Sequence, residues 1–329
     1  MNARIDNRGI HHVTAISGDI DVNAGFYTQV LGMRLVKRSI NQDDVGAYHL
    51  FYADRTGSAG TEVTFFDWPR TPPAREGAGT IAPIALRVAG RESIAWWRGR
   101  LDEFGVGHDE PADRDGRQVL PFRDPEGQRL ELVDDGGAPG GTPWERSPVP
   151  AEHQIKGVHG VTITSRRPDE TARVLTELMG FRPTTGAKLS GGAGTVRAFE
   201  SGEGGPGTEV RMVALAEQRF GAAGVGGVHH VAFQSPDEDH QLAWRERVVA
   251  AGLEATPVID RYYFKSVYFR EPGGALFELA TISEGGFERD EPEAELGEHL
   301  SIPPHLQARR AEIEAGLKPL RPAAFTPAR

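Results

Sequence analysis

The chain has 329 residues, a formal net charge of −10 and no cysteine. At roughly 100–200 residues per domain this length predicts about two domains, and disulfide or thiolate chemistry is excluded. The excess of 47 Asp and Glu over 37 Lys and Arg opposes phosphate backbones, so nucleic acid is not an expected partner. No run approaches the roughly 18 apolar residues of a membrane helix, and residues 1–8 lack an apolar signal core. The expected setting is therefore the cytoplasm, away from any membrane.

In chain order, a short β-run at 10–17 opens a unit of one strand, one helix-like segment ending at glycine, and three further strand-like runs. The same order restarts at 81–88, 158–165 and 228–235, giving an α+β plan of βαβββ four times. In the fourth unit Asp239 to Ala251 places Leu242, Trp244, Val248 and Val249 near helical spacing, with Gly252 where a C-terminal cap belongs. Residues 134–151 hold four glycines and four prolines, the composition of a linker. After Ser283 an acidic stretch leads to an expected helix at Ile302 to Leu317, entered through Pro303-Pro304. This tail is expected either to clasp the core or to act as the dimer arm of a homo-oligomer.

The units repeat residue by residue. At an offset of 147, Phe122-Arg123-Asp124-Pro125 through Leu132 matches Phe269-Arg270-Glu271-Pro272 through Leu279, and Trp97, Gly105 and Asp113-Arg114 match Trp244, Gly252 and Asp260-Arg261. At 148, Ile10-His11-His12-Val13-Thr14 matches Val158-His159-Gly160-Val161-Thr162. The chain is a tandem duplication of a two-module unit.

The repeats select a metal site. His11-His12 and His229-His230 open modules one and four, whereas modules two and three offer Ala82-Pro83 and His159-Gly160. Glu278 lies among Leu276, Phe277, Leu279 and Ala280, where an unpaired carboxylate would be costly. Sites built from the first strands of two paired modules and the last strand of one are incomplete if pairing stays within each half. Pairing module one with module four gives His12, His230 and Glu278, two imidazoles and a carboxylate, the facial set that leaves positions open on Fe(II). Pro83, Gly160 and Glu131 are left as a lost duplicate, with Glu131 expected to pair with Arg129 or Arg123. Side chains alternate along a strand, so Thr14 shares the face of His12, while His11 and His229 should point away unless a bulge turns them inward. Gly191-Gly192-Ala193-Gly194 lacks the lysine of a phosphate loop and reads as a hairpin or loop. His49, His108, His153, His240, His299 and His305 have no partner in register and read as structural or exposed.

These residues resemble the vicinal oxygen chelate (glyoxalase/bleomycin resistance/extradiol dioxygenase) superfamily, and within it the two-domain dioxygenases that cleave hydroquinones. The resemblance spans about residues 8 to 283 and rests on Gly9 to Thr14, Val36-Lys37-Arg38, Tyr48 to Asp54, Trp96-Trp97, Gly227 to Phe233 and Tyr268 to Glu278. It implies strongly curved mixed sheets forming barrel-like clefts, with domains at 8–135 and 153–283, a linker at 136–152 and a tail at 284–329. It also implies Fe(II), with Mn(II) as the other ion this ligand set accepts, held by His12, His230 and Glu278. Around the ion it places His11, Thr14, His229, Arg261 and Tyr268 as catalytic residues, of which strand geometry ranks Thr14, Tyr268 and Arg261 first. The implied partners are O2 and a small aromatic diol; a histidine that reaches the site, with its pKa near neutrality, is expected to move protons. The stretch Arg261-Tyr262-Tyr263-Phe264 departs from the family and is expected to narrow the pocket. The alternatives are a glyoxalase-type isomerase or lyase, and a small-molecule-binding resistance protein of the same fold.

Overall fold

The computed structural model describes residues 5–184, 195–215 and 219–327. The glycine run at 191–194 lies outside them. Module one comprises β1 (Ile10–Ser17), α1 (Ile20–Gly25), β2 (Arg34–Ile40), β3 (Tyr48–Ala53) and β4 (Glu62–Asp67). Module two comprises β5 (Ile81–Val88), α2 (Gly90–Glu103), β6 (Ala112–Arg114), β7 (Arg117–Arg123) and β8 (Arg129–Asp134). Module three comprises β9 (Val158–Ser165), α3 (Pro168–Arg173), β10 (Arg182–Pro183), β11 (Thr195–Glu200) and β12 (Glu209–Ala214). Module four comprises β13 (Gly227–Gln234), α4 (Glu238–Ala250), β14 (Ile259–Asp260), β15 (Lys265–Arg270) and β16 (Leu276–Ala280).

The modules pair across the two sequence halves. Strand order β14-β15-β16-β13-β1-β4-β3-β2 joins module four to module one, and β10-β11-β12-β9-β5-β8-β7-β6 joins module three to module two. Each eight-stranded sheet is mixed: β1 runs antiparallel to β13 but parallel to β4. Both sheets curl into half-barrels, each with a cleft on its inner face. The repeat extends to detail. α1 and α3 each run on into a single π-helical turn, Phe26–Val30 and Val174–Leu178, and the matched Trp97 and Trp244 are buried with their indole N–H groups donating to the carbonyls of His153 and Leu178.

After β16 the tail wraps module one as a clasp. Its helix α5 (Arg310–Gly316) is shorter than expected, because Pro303 and Pro304 lack N–H groups and the chain first makes a 3₁₀ run, Pro304–Arg309. Leu300 bridges Arg38, and Ser39 Oγ donates to the Ser301 carbonyl at 2.9 Å, so the tail covers β2, an edge strand of the first sheet. Gly297, at φ 82°, passes so close to the Leu35 carbonyl that a Cβ there would lie 1.8 Å from the oxygen. Lys37 is fully buried beneath this strap, where Nζ donates to Asp290 Oδ1 at 2.8 Å, to Glu291 and to the Phe287 carbonyl. Tyr263 Oη donates to the other Asp290 oxygen at 2.7 Å, so the strap also ties down the loop after β14. Among the described residues no helix is long and apolar enough to cross a membrane.

Candidate metal centre

β1 and β13 lie side by side in the middle of the first sheet, with Thr14 opposite His230, and β16 lies next to β13. This brings His12, His230 and Glu278 together. The two Nε2 atoms are 3.3 Å apart, and Glu278 Oε2 lies 2.8 Å from His230 Nε2 and 3.3 Å from His12 Nε2. All three side chains are buried. Burial pushes the His230 imidazole below its ordinary value. It would raise the Glu278 carboxyl too, but His12 and His230 outweigh it and hold that group well below the usual range. The 2.8 Å contact is a hydrogen bond only when an imidazole carries a proton on Nε2. With both Nε2 atoms unprotonated, neither Glu278 oxygen has a donor and three acceptors converge. A cation resolves that, and donors at ~2.1 Å bonds and right angles sit about 3 Å apart, matching the separations seen. The residues fit a divalent metal ion.

His11 and His229 both reach this centre. The β1–β13 register slips between Ile10 and His12 and again between Thr14 and Ala15, so each preceding histidine sits in a bulge instead of alternating outward. His11 Nδ1 lies 3.0 Å from His12 Nδ1, and His229 Nδ1 lies 2.8 Å from His230 Nδ1. Burial pushes both outer imidazoles down to about 3, away from the near-neutral titration expected of a proton-moving histidine. Tyr268 stands opposite Glu278 across β15 and β16, its ring 5.5 Å from that of His230. Burial and the Glu278 charge raise its phenol, which stays protonated as a donor. Arg261 lies with its guanidinium 5.7 Å from the Tyr268 ring centre. Burial opposes the Arg261 charge, but Asp43 and Tyr268 outweigh that and raise its pKa. Thr14 is buried, with Oγ1 2.8 Å from Thr64 Oγ1.

Thr64 is a site residue that the repeats alone did not expose. Thr14 pairs with Thr64 across β1 and β4 as Ala232 pairs with Glu278 across β13 and β16, so a hydroxyl occupies the fourth position of a pseudo-symmetric set. His49, read from sequence as structural or exposed, lines the cavity, and its Nε2 lies 2.9 Å from Thr64 Oγ1. It has no counterpart in the repeats that would have flagged it. Glu62, in register with His12, is buried, and one carboxyl oxygen has no partner. Burial, with Asp54 and Glu278 adding, holds its pKa well above the usual range. With His11 and His12 it forms a second group of close ligand atoms among the described residues. Phe264 packs 5.2 Å from His12, and Tyr263 and Phe264 line the cavity together with Phe51 and Phe66. About 40 Å³ of open space is left at the centre.

In the second sheet the equivalent place is filled by charge. Ala85 pairs with Glu131 and Thr162 with Arg211, the counterparts of Ala232 with Glu278 and Thr14 with Thr64. Glu131 takes a two-pronged bond from Arg114, not from Arg129 or Arg123, whose guanidinium groups face Glu76 at the surface. The hairpin of β6 and β7 carries Arg114 over Glu131, a contact between strands that sequence neighbours cannot reveal. His108, His153 and His240 bond Asp102, Ser93 and Asp237, and His299 lies near Glu295. His305 is exposed.

Comparison with known proteins agrees with this architecture. "Putative ring-cleaving dioxygenase MhqA" of Bacillus subtilis (strain 168) is 43% identical over 314 residues, covering 95% of this chain and 99% of that protein. "Chlorohydroquinone/hydroquinone 1,2-dioxygenase" of Sphingobium indicum is 30% identical over 313 residues, covering 93% of this chain and 94% of its own length. A crystal structure of a Bacillus subtilis protein, titled "putative dioxygenase", superposes with a TM-score of 0.86 at 36% identity, covering 97% of this chain and 99% of its own. The family profile matches twice, at residues 9–132 and 157–279, and by that double match the chain belongs to the Glyoxalase/Bleomycin resistance protein/Dioxygenase superfamily.

Proposed function

We propose that the chain is an Fe(II)-dependent extradiol-type ring-cleaving dioxygenase acting on hydroquinones, inserting both atoms of O2 beside a hydroxyl-bearing carbon. The observation that carries the reading is the convergence of two Nε2 atoms and one carboxylate oxygen within 3.3 Å in a buried cleft. Of the relatives matched nearly end to end, one carries ring-cleaving dioxygenase in its name and another carries hydroquinone 1,2-dioxygenase. Mn(II) is the competing ion for the same donors.

The chemistry such an ion supplies is a lowered pKa for a bound hydroxyl and a path for electrons between ring and dioxygen. The chain's own residues prepare the rest. An imidazole that offers Nε2 to a metal keeps its proton on Nδ1. His12 and His230 then donate from Nδ1 to the Nδ1 of His11 and His229, which are neutral and able to accept. The two bulges thus fix tautomer and ring orientation. Tyr268 and Arg261 place an O–H donor and a fixed positive charge on the cleft, where charge develops on oxygen. In a para-diol the second hydroxyl lies across the ring, beyond reach of the same ion, so these distal donors meet it. Phe51, Phe66 and Phe264 give the ring an apolar bed and exclude water. An isomerase of this fold would need a carboxylate-rich site and a glutamate base, whereas Thr64 holds the fourth position here.

The test is oxygen uptake by protein loaded anaerobically with Fe(II), or in parallel with Mn(II), and offered methylhydroquinone, chlorohydroquinone and catechol, with metal-free protein as control. Uptake equal to loss of a para-diol, with a ring-opened chromophore, is the expected result. Metal-dependent turnover without O2 would make the chain an isomerase, and stoichiometric ligand uptake without metal would make it a binding protein.

A further inference from the structure

The second sheet provides an internal control for the metal centre. Arg261 and Glu278 match Arg114 and Glu131 at the 147 offset. Their backbones match as well. Asp260 pairs with Lys265 across β14 and β15 as Asp113 pairs with Gln118 across β6 and β7, and the turn residue that follows each arginine has a positive φ, 75° at Tyr262 and 54° at Asp115. The two arginines therefore leave equivalent places on equivalent hairpins.

Their side chains then part. Arg114 lies across Glu131, with Nη1 and Nη2 at 3.0 and 2.7 Å from its two oxygens. Arg261 makes the same two-pronged bond, at 3.0 and 2.7 Å, to Asp43 in the loop between β2 and β3. Gln42 Nε2 donates to the Arg261 carbonyl at 2.8 Å and ties the same two loops. In sequence, the stretch of module three that corresponds to the Asp43 loop carries no carboxylate. At an offset of 147 or 148 Asp43 falls on Ser190 or Gly191, and residues 184–199 include no Asp or Glu.

A guanidinium and a carboxylate in a sparsely hydrated cleft pair readily, because the fork of donors satisfies both oxygens at once. Arg261 packs against Tyr268, which is in register with Glu278, so the carboxylate that completes the metal centre lies one residue pair from this cation. We propose that Asp43 is a positioning residue that holds Arg261 away from Glu278, leaving that carboxylate to the metal ion. Without Asp43, Arg261 takes up the bond Arg114 makes with Glu131 and competes with the metal. The inference rests on the metal assignment proposed above.

The test measures Fe(II) affinity anaerobically, by competition with a chelator, for wild type, Asp43→Asn, Arg261→Gln and the double variant, with circular dichroism confirming each fold. Outer partners of metal sites change affinity by about 10- to 100-fold, and the lower end is expected for Asp43→Asn because the Asp43 side chain is itself 71% exposed. The double variant should return to the affinity of Arg261→Gln alone, since the competing cation is gone. Wild-type affinity in Asp43→Asn, or a double variant as weak as Asp43→Asn, overturns the proposal. A wild-type chain that takes up no metal overturns the centre itself, a result separate from either.

Discussion

Glu278→Ala is expected to lose metal retention and ring cleavage together. The side chain supplies the only carboxylate of the His12, His230 and Glu278 cluster, and its Oε2 stands within 3.3 Å of both imidazole Nε2 atoms. Removing it leaves two neutral donors, a set that binds divalent ions far more weakly. The loss should exceed about 100-fold in metal affinity, the upper end seen when even an outer partner is removed. Thermal unfolding gives a second readout. A ligand that binds only the native state at 100 times its Kd stabilises it by about 2.7 kcal/mol. The wild type should show that shift on Fe(II) addition under anaerobic conditions and Glu278→Ala should show none. A variant that keeps both the shift and turnover would remove Glu278 from the centre.

Lys37→Met is expected to destabilise the fold strongly. Lys37 is fully buried and bonds Asp290, Glu291 and the Phe287 carbonyl. Methionine fills similar volume but leaves Glu291, also buried, without its cation. Breaking one side of a buried ion pair costs about 3–5 kcal/mol, to be read by denaturant unfolding. A loss below about 1 kcal/mol, the range of exposed pairs, would refute the role. The pair also has a pH signature. Burial raises the Asp290 carboxyl, but Lys37, Ser301 and Tyr263 outweigh it and bring the group below its ordinary value. Its contribution is therefore present above the unfolded value of about 4 and is lost as pH falls through the lower folded value. Acid should unfold the wild type through this range, and Lys37→Met should show a flatter profile there.

Much of this was legible in the sequence because duplication writes structure in residue matches. Offsets of 147 and 148 delivered four modules, the pairing of module one with module four, and the trio of His12, His230 and Glu278. What escaped has local physical causes. Strand alternation turns His11 and His229 outward, and only paired bulges, invisible in composition, bring them back. Thr64 has no sequence mark of its own and becomes a site residue through its pairing with Thr14. Asp43 and His49 sit on a loop and strand whose approach to module four depends on how the sheet curls. Glu131 found Arg114 instead of its sequence neighbours because β6 folds back on β7 and carries Arg114 across that strand to β8, a contact sequence adjacency does not show.

The crossed pairing of modules has a consequence for symmetry. Neither half of the chain owns a whole sheet: each holds two four-stranded pieces whose inner strands, β1 and β5 or β9 and β13, meet their partners in the other half. A single half made alone would expose those inner edges and could close its sheets only against a second copy of itself, as a symmetric homodimer with two identical clefts. Carrying both halves on one polypeptide frees the two clefts from identity. One cleft carries His12 and His230, and the other has Gly160 and Pro83 in their places, with the arginine common to both turned onto the carboxylate as a structural joint.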